Sequence, residues 1–144
     1  EDSAMMKAIT LWQPWAGAMA AGLKKIETRR NRCHHYGHVC IHAGSYDTPM
    51  ELWTGLPDCI EDIPLPLRVR GHILCLVEIV GCAPTEALRP DEPERSFGDF
   101  SPGRYGILTQ NLRALKRPVP CRGFQAVPWT VPPEVEAEVR RQLS

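Results

Sequence analysis

No stretch of this chain comes near the roughly 18 consecutive apolar residues of a membrane-spanning helix, and no basic segment near the N-terminus leads into an apolar core. Neither a membrane span nor a signal peptide is expected, and the sequence reads as a cytosolic protein. An excess of one charge is also missing, because 17 Lys and Arg stand against 17 Asp and Glu. That excludes a uniformly basic surface gripping nucleic acid through many phosphates, so any such binding must be local. The six cysteines form no Cys-x-x-Cys pair. With 43% hydrophobic residues in 144, a core is attainable without disulfide or metal staples, so free thiols and no bound zinc are expected. Repeats and low-complexity segments are lacking too. The expectation is one monomeric domain over 6–144, without a cofactor, with 1–5 a remnant outside the fold.

What is present concentrates in residues 11–30, LWQPWAGAMAAGLKKIETRR. Pro14 suits the start of a helix, Trp15, Ala18 and Met19 recur at helical spacing, and Gly22 stands where a helix ends in a left-handed residue. Beyond Gly22 the period becomes two, putting Lys25, Glu27 and Arg29 on one strand face and Ile26 and Thr28 on the other, with Lys24 in the turn. The charge of this region is uneven: Lys24, Lys25, Arg29, Arg30 and Arg32 face Glu27 alone. A second basic run, Arg113, Lys116, Arg117 and Arg122, has no acid within it, while 91–94 is acidic.

Further strands are expected at 8–12, 38–43, 72–80, 105–109, 115–120 and 125–129, and helices at 49–54, from Thr85 to before Pro90, and at 132–143. The helix at 49–54 rests on the Thr48-x-x-Glu51 capping spacing with Pro49 at its first position. The last one carries Val135, Val139 and Leu143 as a single apolar stripe that packs on the sheet. Five to six short strands with about three short helices make an α+β fold, a small mixed β-barrel, rather than a doubly wound sheet, which needs longer intervening helices.

Gly22-x-Lys24-x-x-Glu27-x-Arg29 after Gln13-Pro14-Trp15 resembles the ASCH domain family, named for homology to the activating signal cointegrator. The segment Ile41-His42-Ala43, the loop from Phe97 to Tyr105 and the closing Pro118–Gly123 with Trp129 extend the resemblance over about 11–129. It implies a PUA-like barrel associated with RNA, some members being nucleases or nucleoside hydrolases. Small relatives pair a lysine with a threonine three residues on to cleave an acylated cytidine; here Lys24 matches, but Glu27 holds the threonine position.

The candidate ligand-binding residues are Gln13, Trp15, Lys24, Glu27, Arg29, His42, Ser101, Arg104 and Tyr105, with Lys24 and Glu27 catalytic if the protein is an enzyme. Lysine offers a point charge to phosphate, glutamate an acceptor for base edges, and arginine a bidentate fork. Trp12 or Trp15 can stack a base, and the loop ending at Tyr105 offers backbone amides, a hydroxyl, a guanidinium and a ring. Each also has an ordinary structural reading, such as a Glu–Arg pair on a strand or a hydrogen-bonded core histidine. Glu78, alone on an apolar strand, is either an acid or the partner of Arg68 or Arg70. The expected partner is a nucleotide or a short single-stranded RNA, with hydrolysis of a modified nucleoside or metal-independent RNA cleavage as alternatives.

Overall fold

The computed structural model describes residues 5–47 and 55–144. The helix expected at 49–54 lies outside the described residues. Among these, six strands form one sheet: β1 (Lys7–Gln13), β2 (Ile26–Arg29), β3 (Gly37–Asp47), β4 (His72–Pro84), β5 (Tyr105–Pro120) and β6 (Trp129–Thr130). Three α-helices accompany it, α1 (Trp15–Ala20), α2 (Glu94–Phe97) and α3 (Pro133–Leu143). The strand order is β2-β5-β4-β3-β1-β6, with β1 and β3 parallel and every other pair antiparallel.

Both faces of the sheet are covered, which explains the nearly continuous apolar composition of the central strands. Ile9, Leu11, Val39, Ile41, Ala43, Cys75, Val77, Ile79 and Ile107 pack under α1 with Ala16, Met19 and Ala20. Ala8, Cys40, Ile73, Leu76, Val119 and Trp129 form the opposite core beneath Val135, Val139 and Leu143 of α3. The segment rich in proline before β4 is ordered, as expected, with 3-10 turns at Asp58–Asp62 and Leu65–Arg68.

Several expectations require correction. Residues 105–109 and 115–120 are one strand, not two: β5 stays beside β4 through irregular registers, and Asn111 absorbs the break at φ +57°, a conformation asparagine tolerates. Among the described residues no strand flanks β5 on its other side beyond Leu108, so Pro118 and Pro120 remove no ladder bond there. Of the 125–129 strand only Trp129 is in β6, which runs on to Thr130, and the helix expected from Thr85 is a three-residue 3-10 turn, Thr85–Ala87, that ends well before Pro90.

The sheet, moreover, is open, not a closed barrel. Its borders, β2 with four residues and β6 with two, do not pair with each other. The sheet nevertheless curls far enough for a side chain of β2 to touch β1: Arg29 Nη2 donates to the Thr10 carbonyl at 2.8 Å. β6 pairs β1 only at Lys7 and Ala8, which leaves that carbonyl outside the ladder. An arginine thus spans the seam where a barrel would have had a hydrogen-bonded strand pair.

Candidate functional site

The site is built on the ending of α1. Gly22, at φ +81°, donates to Met19 O and Leu23 donates to Ala18 O, the paired bonds of a Schellman termination. Leu23 then packs near Ala18. This reversal carries Lys24 inward, and its side chain is only 1% exposed. Its ammonium donates to the Ile26 carbonyl and pairs with Glu27 Oε1 at 3.3 Å. Glu27 Oε2 accepts from Arg29 Nε at 2.8 Å. The result is a cation–carboxylate–cation chain lying along the seam with a net charge of one positive unit.

Flanking elements hold this chain in place. Glu94, the first residue of α2, accepts the backbone amides of Lys25 and Ile26 at 2.8 and 3.0 Å, pinning the start of β2. Thr109 donates its hydroxyl to the Lys25 carbonyl at 2.7 Å. Gln13 clamps the opposite wall: its amide nitrogen donates to Leu67 O and Val69 O, and its oxygen accepts from Gly17 N. Three of its hydrogen-bonding positions are therefore spent on the backbone.

Behind the seam, His42 is buried with both ring nitrogens engaged. Because a carbonyl only accepts, Nε2 carries the proton and donates to Cys121 O at 2.6 Å. Nδ1 then accepts from the Thr10 hydroxyl at 3.1 Å, while that hydroxyl accepts from Trp129 Nε1 at 3.0 Å. Burial holds His42 below the ordinary imidazole pKa, against the opposing pull of the Cys121 carbonyl. The unfolded chain therefore takes up this proton first, so stability is full above about pH 6.5 and declines as pH falls toward the folded value, by up to about 1.4 kcal/mol per unit. Urea unfolding between pH 7.5 and 5 should show this slope, and His42→Gln should flatten it. An unchanged slope in the variant would assign the effect elsewhere.

Two surface depressions meet at Trp15 and Glu27. One, about 400 Å³, is walled by Thr10, Leu11 and Trp12 of β1, by Arg29, and by Phe124 and Gln125. The other, about 390 Å³, runs past Thr28, Phe97, Gly98 and Asp99 to Arg104. Both sizes fall in the range of small-ligand sites. Arg104 Nε donates to Asp99 O at 3.1 Å and lies 3.6 Å from its carboxylate. The Ser101 hydroxyl and amide, with Arg104 a lesser influence, hold Asp99 below the ordinary carboxylate value.

Trp15 and Glu27 line both depressions, Arg29 only the first and Arg104 only the second, while Lys24 is buried beside Glu27 and borders a separate depression with Met19, Gly22 and Thr109. Gln13 and His42 line none of these. Ser101 is exposed and turned to Asp99, and the Tyr105 ring lies 4.7 Å beneath the Arg32 guanidinium, so neither lines the two depressions. Glu78 accepts from Asn111 at 2.8 Å. Sequence reasoning missed Thr10, Phe124 and Gln125. Thr10 is a polar residue between Ile9 and Leu11, which was a readable signal; nothing in the sequence brings 124–125 across to β1.

A family model for the ASCH domain matches residues 9–117. The chain belongs to the ASCH domain family. Solved structures agree: the ASCH protein of Zymomonas mobilis superposes with a TM-score of 0.58 at 12% identity, covering 97% of this chain and 96% of that one. A tyrosine-to-phenylalanine variant of that protein gives 0.56 at 12% identity over 98% and 100% of the two chains. Its serine-to-alanine variant gives 0.57 at 12% over 97% of each. At such identity the likeness concerns the fold. Among curated proteins none matches. ASCH is a PUA-like, RNA-binding family. The ASCH match includes Thr10, Trp12, the Lys24–Arg29 chain and Arg104, but it stops before Phe124, Gln125 and Trp129.

Proposed function

We propose that this ASCH domain binds a nucleotide or a short unpaired RNA segment in the seam between β1 and β2. The observation that carries the reading is that Arg29 and Arg104 each line one of two adjoining depressions that share Glu27 and Trp15. Arginine forks suit phosphate oxygens and base edges, and a carboxylate suits the amino group of a base. The balanced overall charge favours recognition of one or two nucleotides over tracking a long backbone.

A hydrolytic role for Lys24 and Glu27 has less support, because the Lys24 ammonium is enclosed and bonded to a carbonyl and a carboxylate. Fluorescence anisotropy with a labelled oligoribonucleotide across a salt series tests the binding reading. Arg104→Ala is expected to weaken binding several-fold and to lower the salt slope by about one. Absence of wild-type binding at low salt would overturn the reading.

A further inference from the structure

The depression beside β1 holds a feature that neither ion pairing nor packing explains. Trp12 is 43% exposed and Phe124 is 48% exposed, although both are large apolar side chains. They come from distant parts of the chain and line the same depression. Leaving that much aromatic surface in water forgoes burial energy, and a grouped apolar patch on a small domain marks a contact surface.

The Phe124 ring is held in place despite its exposure. Its centroid lies 5.4 Å from that of Trp129 in an edge-on contact, and Trp129 is tied through Thr10 to the buried His42. Cations flank the patch: the Arg122 guanidinium lies 5.7 Å over the Phe124 ring, and Arg29 stands in the same wall. Aromatic faces interleaved with arginines are the means by which proteins hold unpaired bases, the rings stacking and the cations meeting the phosphates. A neutral apolar peptide would gain nothing from the two arginines.

We infer that Trp12 and Phe124 form a base-stacking subsite for one unpaired nucleobase, with Arg29 and Arg122 beside its phosphate. This rests on the RNA reading above and narrows it, because the recognised element becomes the base and not the backbone. Phe124 and Arg122 lie beyond the span matched by the ASCH family model, so the subsite combines a family strand with a segment outside that span.

The test compares a short oligoribonucleotide with the same strand carrying abasic residues, by anisotropy, against wild type, Trp12→Ala, Trp12→Phe and Phe124→Ala. Expected are losses of about 10-fold for the intact strand in each alanine variant, little loss in Trp12→Phe, and a weak abasic affinity that no variant changes. Thermal melts exclude unfolding as the cause. Equal affinity of wild type and both alanine variants for the intact strand would overturn the subsite while leaving the RNA reading in place. No binding of either strand to the wild type would overturn the RNA reading itself.

Discussion

Glu27→Ala is expected to cost the domain about 3–5 kcal/mol, the range for removing one partner of a buried ion pair. The reason lies in Lys24. Its side chain is 1% exposed, and its other acceptor is a single backbone carbonyl, so the ammonium would be left in the protein interior without a counter-charge. Arg29, at 29% exposure, can turn to water and suffers less. A surface pair would contribute about 0–1 kcal/mol, so the size of the loss tells the two situations apart. Guanidinium denaturation measures it, and Lys24→Met added to Glu27→Ala should recover a large part, since the stranded charge is then gone. A loss below about 1 kcal/mol for the single variant would mean that Lys24 reaches solvent readily.

Gly123→Ala is the second large expected effect. An added Cβ would stand 2.4 Å from His42 Cε1, 2.5 Å from its Nδ1 and 2.9 Å from Thr10 Oγ1. The imidazole cannot retreat, because Nε2 is bonded to Cys121 O and Trp129 packs edge-on at 5.4 Å. The chain at 122–124 must move instead, carrying Phe124 away from its seat. Overpacking of this kind costs about 3 kcal/mol, or roughly 10 °C in melting temperature for a domain of this size. The intact-strand affinity should fall with it. In a His42→Ala background the methyl group finds room, so the two substitutions should be far from additive. Additive losses would place the strain somewhere other than the imidazole.

The elements legible in the sequence were those with strong local signals. Gly22 ended α1 as its position implied, the Val39, Ile41 and Ala43 alternation gave the α1 face of β3, and Val135, Val139 and Leu143 gave the stripe of α3. What was not legible depended on non-local geometry. The prolines at 118 and 120 read as interruptions of a short edge strand until, among the described residues, the outer side of β5 proves to have no paired strand there. A lysine after a glycine looks like a free arm until the Schellman turn points it inward. Lys24, Glu27 and Arg29 could be picked out as a group because residues spaced by two or three meet across a turn and a strand. Phe124 reaches the same wall only through a fold that brings residues about 110 positions apart together, which no local pattern encodes.

The seam between β1 and β2 is joined differently from the rest of the sheet. Everywhere else neighbouring strands are sewn together by repeated amide bonds, but along this line the described contacts run through side chains, chiefly one guanidinium on one carbonyl. Among the described residues, parting β1 from β2 breaks the Arg29–Thr10 bond but no ladder. The depressions at Trp15 and Glu27 therefore lie along the one line of the described sheet that no backbone ladder crosses.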